Sequence, residues 1–280
     1  VELITQKRAK GWWDKQVFAK MRNIKNSFTK EFMTSLPKLK HSDIRQFKWR
    51  YAPFIVPNNA ERILLNEMKI RLWAKEHNEP IFVYYDRVIP KKDGSEKWDA
   101  DTLARHLSPA HPILKRYFVR NAPCYITNNI DPQIKLANKS KARLHSMTWK
   151  NGYELPTEWT PGEEIEVPFP ESVNVVMEKD FKHAKAPEVV PLREVEDDES
   201  LEIKQPDGDT KPRVIKTHDY QLGFAMTYHC VQGATSKYLV LVVNKGSRVE
   251  FEHLYVGITR GENIAKYLRI VECESYDHLK

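Results

Sequence analysis

The sequence predicts an α/β protein in which an antiparallel, β-rich subdomain interrupts a domain built on a parallel sheet. Continuous apolar runs with helical segments between them lie near both ends of the 280-residue chain, which is typical of buried parallel strands. The middle of the chain has short alternating stretches and many prolines instead. We therefore predict an α/β domain at 49–120 and 218–280, with the small β-rich, barrel-like subdomain inserted at 121–217.

Residues 1–48 are predicted to form a basic helical segment. Apolar side chains recur every three or four residues from Trp12 to Met33, with lysines between them, which indicates an amphipathic helix. Pro37 ends this pattern.

A strand, a helix and a second strand are predicted next. The apolar run from Ala52 to Pro57 predicts a strand that ends in a turn at Asn58 and Asn59. Helical spacing over 60–77 predicts a helix, and 80–85 reads as a second strand. Because strand-helix-strand units normally build parallel sheets, both strands are expected in the same parallel sheet.

The same pattern returns near the end of the sequence. Segments 224–228 and 238–243 are predicted strands, and the second is a continuous apolar run. Helical spacing follows at 251–259, and 267–271 is predicted to be the last strand.

The intervening region favours antiparallel strands. Short alternating stretches occur at 142–149, 164–168 and 173–177. The acidic run 194–200 lies in a proline-containing, hydrophilic segment, so we predict a flexible acidic loop over 178–210.

The composition excludes several classes of protein. Hydrophobic residues make up 41% and charged residues 30% of the chain, and mean hydropathy is −0.61. No apolar run could span a bilayer and no secretory signal is present, so we expect an intracellular protein, nuclear in a eukaryote. The three cysteines, Cys124, Cys230 and Cys273, are too widely spaced for a disulfide framework or a zinc site. The first residue, Val1, suggests a fragment.

The charge is unevenly distributed. The net charge is +7, yet residues 1–50 contain 13 Lys and Arg against 4 Asp and Glu, whereas residues 151–210 contain 5 against 17. Basic regions that flank an acidic insert would suit a polyanion-binding surface. The alternative is that these charge runs are simply solvated faces.

The densest group of polar side chains is the segment Thr-Tyr-His-Cys-Val-Gln-Gly-Ala-Thr, which lies between two predicted strands. Ligands of open α/β sheets bind at the turns that follow the strands. Thr227, His229, Gln232 and Thr235 supply neutral hydrogen-bonding groups suited to a nucleic-acid backbone, and Gly233 allows close approach. The alternative is an ordinary turn with a satisfied histidine.

Arg260 is a second candidate. It ends the segment Tyr-Val-Gly-Ile-Thr-Arg, at the end of an apolar helix, and a glycine follows it. An arginine so placed can neutralise charge on a transferring phosphate, although an isolated one is more often a surface residue.

The order and spacing of these two segments resemble the fifth and sixth signature motifs of superfamily 1 helicases, most closely the Pif, RecD and Helitron branch. Residues 49–62 with Asn66 are similar to the fourth motif and its helix. Residues 118–141 are similar to the segment that opens the small β-barrel inserted in the second motor domain. The resemblance covers residues 44–150 and 214–272.

The resemblance implies the C-terminal half of an ATP-dependent DNA helicase, with a second RecA-like motor domain. Residues 1–48 would then be the tail of, or linker from, a missing first motor domain. The function implied is to grip single-stranded DNA and complete an ATP site shared with an upstream P-loop domain, in DNA repair or recombination.

The resemblance also implies roles for individual residues. Arg260 would be the arginine finger that reaches the γ-phosphate of ATP, with Gln232 and Gly233 near the nucleotide cleft. Single-stranded DNA would be contacted by Thr227, His229 and Thr235. Asn58 and Asn59 would contact the DNA backbone, and Asn66 would brace their loop.

Some family features are missing. No G-x-x-x-x-G-K-[ST] loop occurs, so ATP and Mg²⁺ are expected to be bound mainly by the upstream domain, and this chain alone should not hydrolyse ATP. The acidic run 197–199 is hydrophilic and is not assigned as a metal site. Cys230 and Asn121 also depart from the family pattern. The alternative function is a non-enzymatic, helicase-derived module that binds nucleic acid or protein.

Overall fold

The computed structural model describes residues 35–89, 100–131, 136–178, 188–204, 210–232, 236–244, 251–260 and 263–273. The predicted helix from Trp12 to Met33 lies outside these residues, as do Gly233 and Thr235. The chain divides into two compact units, which we call unit 1 (Val1–Lys69 and Gly223–Lys280) and unit 2 (Ile70–Leu222). Residues 70–120, which the sequence analysis assigns to the α/β domain, thus belong to unit 2.

The helices and strands of the described residues are numbered in chain order. The α-helices are α1 (His41–Ile44), α2 (Phe47–Arg50), α3 (Asn59–His77), α4 (Ala100–Leu107), α5 (Phe251–Ile258) and α6 (Ile264–Tyr267). The strands are β1 (Phe54–Val56), β2 (Ile81–Tyr85), β3 (Arg87–Ile89), β4 (Lys115–Phe118), β5 (Pro123–Ile126), β6 (Lys141–Thr148), β7 (Glu164–Glu166), β8 (Ser172–Met177), β9 (Val189–Lys204), β10 (Thr210–His218), β11 (Tyr220–Leu222), β12 (Ala225–Thr227), β13 (Leu239–Asn244) and β14 (Leu268–Cys273).

Unit 1 contains a four-stranded parallel sheet in the order β12-β1-β13-β14. Its central strands are continuous apolar runs because both of their faces are covered. Ile55, Val240 and Leu241 have no exposed surface, and Trp49 packs in one core cluster with Val240 and Val242. The predicted parallel sheet is confirmed.

The predicted position of β2 is wrong. β2 does not join β1 in the parallel sheet but pairs antiparallel with β4 and parallel with β7, in a separate three-stranded sheet. Ile81–Val83 are buried, as a central parallel strand would be. A buried apolar run therefore identified the strand correctly, but it carries no information about the partner.

Unit 2 is rich in β-strands, as predicted. Seven strands form a sheet in the order β11-β5-β6-β8-β9-β10-β3, and all of its pairs are antiparallel. The three alternating stretches in the middle of the sequence correspond to β6, β7 and β8. β7 belongs to the three-stranded sheet with β2 and β4. A mixed α/β protein with parallel and antiparallel sheets results.

The flexible acidic loop predicted over 178–210 is wrong over 189–204, since these residues form β9, which pairs with β8 and β10. Residues 179–187 and 205–209 of the predicted loop lie outside the described residues. Leu192 is buried, whereas Arg193 and Glu194 are exposed. The Glu194 carboxylate lies 3.6 Å from Lys216 Nζ on β10. Charge pairing across the ladder thus allows an acidic segment to form a strand.

Among the described residues, no helix combines the length and the apolar character that a membrane span requires. No group of three or more His, Cys, Asp or Glu side chains in these residues is placed to hold a metal ion.

Candidate functional site

The candidate site begins at the carboxyl edge of the parallel sheet of unit 1. β1 and β12 are parallel neighbours, and Val56 is paired with Thr227 at their ends. The polar residues that follow each strand must therefore lie at the same edge. These are Asn58 and Asn59 after β1, and the turn 228–232 after β12.

Thr227 is a buried residue that shapes this turn. Its Oγ1 accepts a hydrogen bond from the Cys230 N–H at 3.3 Å, and its carbonyl accepts one from the Val231 N–H at 3.1 Å. His229 and Gln232 are exposed, and the Gln232 N–H donates to the His229 carbonyl at 3.3 Å. The turn therefore presents His229 and Gln232 to solvent and holds the Thr227 hydroxyl inward.

Tyr228 fixes the turn to the sheet. Its hydroxyl donates to the Val242 carbonyl at 3.1 Å, and the residue is fully buried. Burial raises the pKa of Tyr228 well above its ordinary value, and the Glu61 carboxylate raises it further. The phenol therefore stays neutral and keeps donating to β13.

Gly257 brings α5 close to the same tyrosine. A Cβ atom at this position would lie 2.7 Å from Leu241 Cδ2 and 2.8 Å from Tyr228 Cε1, closer than real Cβ contacts. Only glycine therefore allows the helix to approach β13 and Tyr228 at this distance.

The two motif segments meet at the first turns of α5. The His253 ring lies 5.3 Å from the His229 ring and 5.7 Å from the Tyr228 ring, between centroids, with both pairs edge-on. The turn that carries His229 and the helix α5 are thus in direct contact.

Arg260 lies at the other end of α5. Because α5 connects parallel strands β13 and β14, it runs back to the amino edge of the sheet. Eight helical residues span about 12 Å. The Arg260 carbonyl accepts a hydrogen bond from the Ser236 N–H, just before β13, at 3.3 Å. His229 and Arg260 therefore mark opposite ends of one helix.

The Arg260 guanidinium is folded against the end of its own helix. Its Nε donates to the Val256 carbonyl at 3.1 Å, and its Nη2 donates to Thr259 Oγ1 at 3.0 Å. Thr259 in turn donates to the Val256 carbonyl at 2.9 Å. The carboxyl end of a helix attracts a cation, which accounts for this position.

Asn58 and Asn59 begin α3. Asn58 Oδ1 accepts from the Glu61 N–H at 2.9 Å, and its Nδ2 donates to the Glu61 carboxylate at 3.1 Å, which is a reciprocal N-terminal cap. Asn59 is exposed, and its Oδ1 accepts from Arg62 Nε at 3.1 Å. Asn58 therefore caps the helix α3, in addition to its predicted contact with the DNA backbone.

Asn66 makes a different contact from the one expected, because it holds β12 and not the Asn58–Asn59 loop. Its Nδ2 donates to the Ala225 carbonyl at 3.1 Å, and its Oδ1 accepts from the Ala225 N–H at 2.9 Å. β12 is an edge strand whose odd-numbered residues point their backbone groups away from β1. Asn66 satisfies those groups in place of another strand.

Sequence reasoning missed three residues that build the site: Tyr228, His253 and Gly257. Gly257 gave a readable signal, since a glycine inside a helical apolar pattern is unfavourable unless close packing requires it. Nothing local indicated that His253 lies beside His229, because 24 positions separate them in the sequence.

No protein-family model matches the chain. No curated protein matches it by sequence either.

Solved structures of helicases do match it, over nearly its whole length, so the fold is that of a C-terminal-like portion of a helicase. They are Pif1 helicases. Bacteroides Pif1 in complex with ADP-AlF3 and single-stranded DNA matches with a TM-score of 0.55 and 15% identity, over 100% of this chain and 55% of that one. Bacteroides Pif1 bound to single-stranded DNA matches with a TM-score of 0.52 and 14% identity, over 96% of this chain and 51% of that one. Candida albicans Pif1 matches with a TM-score of 0.53 and 12% identity, over 94% of this chain and 54% of that one. The chain thus spans about half the length of these proteins.

Proposed function

We propose that the chain is the C-terminal portion of an ATP-dependent DNA helicase. The carboxyl edge of the parallel sheet grips single-stranded DNA, and Arg260 completes an ATP site shared with an upstream P-loop domain. The observation that carries this proposal is the contact between the two motif segments around α5, which has the His229 turn at one end and Arg260 at the other.

The DNA grip rests on neutral polar groups at that edge. His229 and Asn59 are exposed there and can donate or accept hydrogen bonds without reading a base. Contacts of this kind to phosphate and sugar allow stepping along any sequence. Two of the matching Pif1 structures hold single-stranded DNA, which supports this partner.

Arg260 is proposed as the arginine finger. A guanidinium that enters from the second domain neutralises charge on the γ-phosphate as it is transferred. The guanidinium would have to exchange its bonds to Val256 and Thr259 for that contact. A matching Pif1 structure contains ADP-AlF3, which supports a nucleotide site in proteins of this fold.

ATP and Mg²⁺ are assigned mainly to the upstream domain. The described residues contain no carboxylate cluster suited to a divalent cation, and the sequence has no phosphate-binding loop. When bound, Mg²⁺ would help to neutralise the charge that develops on the transferred phosphate. This chain's contribution is the arginine, held by Thr259, and the helix that joins it to the DNA-binding edge.

The test uses the full-length protein that includes the upstream P-loop domain. Arg260→Ala should lower ATP turnover by about 10³- to 10⁵-fold and leave affinity for single-stranded DNA nearly unchanged. Arg45→Ala is the matched control, because Arg45 is an exposed arginine of unit 1 far from α5 in the sequence. Equal loss of turnover and DNA affinity in Arg260→Ala would reject the finger role.

A second arm tests the grip. His229→Ala should weaken DNA binding. Binding by the unchanged protein should fall steeply as salt rises, because lysines and arginines of the basic regions would neutralise phosphates and release counterions. Affinity that is independent of salt would reject a phosphate grip. Unchanged ATP turnover in Arg260→Ala would also reject the finger role. Absence of ATP turnover in the unchanged full-length protein would favour the alternative, a binding module without motor activity.

A further inference from the structure

Unit 2 contains a cleft that the proposed function does not use. Its volume is about 590 Å³, within the ~300–1,000 Å³ typical of ligand sites. Its lining combines aromatic and basic side chains, chiefly Trp149, Tyr153, Phe169, Lys150, Arg193 and Arg87.

Trp149 is held in a defined position at the cleft. Its indole N–H donates to the Pro168 carbonyl at 2.9 Å. The Tyr153 ring meets it edge-on, with centroids 5.0 Å apart. Because its N–H is bonded to Pro168 and one side is covered by Tyr153, the Trp149 indole offers only its remaining apolar surface to a ligand.

Phe169 gives the cleft a rigid wall. It is 7% exposed, and its ring stacks on buried His218 with centroids 4.7 Å apart. The Arg87 guanidinium lies over the same ring, 4.9 Å from its centroid. A ring packed this way cannot turn away when a ligand enters.

The charges of the cleft favour an anionic ligand. Two carboxylates line it, and each lies near a cation: Glu171 is 3.9 Å from Lys150, and Glu194 is 3.9 Å from Arg87. Lys150 has 72% of its side chain exposed, so this weak pair leaves it accessible. Arg193 is also exposed and adds a third cation.

Aromatic clefts also bind proline-rich peptides, and the indole N–H separates the two possibilities. An extended peptide has backbone carbonyls that need donors. The Trp149 N–H is already bonded to Pro168 and cannot serve that purpose. Stacking on the ring needs no donor, so the geometry favours a planar base.

We propose that this cleft binds a base of single-stranded nucleic acid, with the base stacked on Trp149 and the flanking phosphates contacted by Lys150 and Arg193. The cleft extends the grip proposed for unit 1 to a second, separate site. Stacking of this kind is independent of base identity, because every base has a flat face.

The first measurement is the affinity of the full-length protein for fluorescent oligothymidylate. Trp149→Ala should weaken binding by about 5- to 150-fold, the range for loss of one stacked base. Trp149→Phe keeps a stacking face and should retain most of the affinity, although it loses the bond to Pro168. Trp159→Ala is the matched control, since Trp159 is 40% exposed in unit 2 and does not line the cleft.

The double variant Lys150→Gln, Arg193→Gln tests the phosphate contacts. Loss of two contacts should make the dependence of log affinity on log salt shallower by about 1.4. An unchanged slope, or equal affinities for the Trp149→Ala and Trp159→Ala variants, would overturn the proposal. A proline-rich peptide that competes with the oligonucleotide for the unchanged protein, but not for Trp149→Phe, would also overturn the proposal. That result would show that the indole N–H of Trp149 donates to a peptide carbonyl.

Photo-crosslinking separates this proposal from the grip in unit 1. Oligothymidylate that carries 5-iodouracil is irradiated with the protein, and the crosslinked peptides are mapped by mass spectrometry. Crosslinks at Trp149 support the cleft, whether or not unit 1 is labelled. Crosslinks confined to the His229 turn would overturn the cleft and leave the unit 1 grip intact, whereas crosslinks confined to unit 2 would overturn that grip.

Discussion

Replacement of Asn66 should destabilise unit 1 more than its small size suggests. The Asn66 side chain makes both hydrogen bonds of the Ala225 backbone that face away from β1, at 2.9 and 3.1 Å, and Ala225 has no exposed surface. Asn66→Ala leaves a buried N–H and a buried C=O without that partner. At about 1–3 kcal/mol for each unsatisfied group, the loss in unfolding free energy is about 2–6 kcal/mol.

The assay is urea denaturation followed by near-UV circular dichroism, with hydrogen exchange of the Ala225 amide as a local readout. Asn59→Ala is the control, because Asn59 lies on the same helix and is exposed, and it should cost under about 1 kcal/mol. Equal losses for the two variants, with unchanged exchange at Ala225, would refute the reasoning.

Asn66→Asp gives the same test a pH dependence. The introduced carboxyl keeps an acceptor for the Ala225 N–H but faces the Ala225 carbonyl, so its pKa in the folded state should be raised above about 4. A carboxyl whose pKa is higher in the folded state than in the unfolded state stabilises the folded protein at a pH below its unfolded pKa. This stabilisation is lost as pH rises through the folded pKa. The deficit relative to the unchanged protein should therefore be larger at about pH 7 than at about pH 4; a constant deficit would contradict the assigned contact.

Three further predictions concern buried groups. Gly257→Ala should destabilise by about 1–2 kcal/mol, since overlap with Leu241 and Tyr228 outweighs the helix propensity of alanine, as thermal melting would show. Tyr228→Phe should cost about 1–2 kcal/mol through the lost bond to Val242. Burial, with the charge of Arg116, lowers the pKa of His218 to about 3, so its neutral form is favoured on folding. Stability should therefore fall by a few kcal/mol as pH drops from about 6.5 toward 3, and His218→Gln should remove that part of the loss.

Each of these has a contrary outcome. A stability gain of about 1 kcal/mol in the Gly257 variant would be the result for an uncrowded helix glycine. No change in the Tyr228 variant would mean that the Val242 carbonyl finds another donor. If the stability of the protein and of the His218 variant fell equally as pH drops from about 6.5 toward 3, groups other than His218 would cause the acid loss of stability.

Local patterns predicted the elements well. Strands at 54–56, 239–244 and 268–273, the long helix α3, and β2, β6, β7 and β8 of unit 2 coincide with apolar runs or alternations in the sequence. These signals are local because side-chain direction repeats every 2 or 3.6 residues. The order of the two motif segments was likewise readable, and the resemblance to a helicase fold is confirmed by the solved structures.

The local patterns of the sequence therefore indicated the strands of the parallel sheet, the helix α3 and several strands of unit 2, and they showed which short segments carry polar groups at strand ends. Tertiary structure alone decided that β2 leaves the parallel sheet, that residues 189–204 become a strand, and that Asn66 clamps a residue 159 positions away. Strand partners and side-chain clamps are chosen by which distant backbone groups would otherwise be buried without a bond. These partners depend on the whole fold, so the periodic patterns of the sequence do not reveal them.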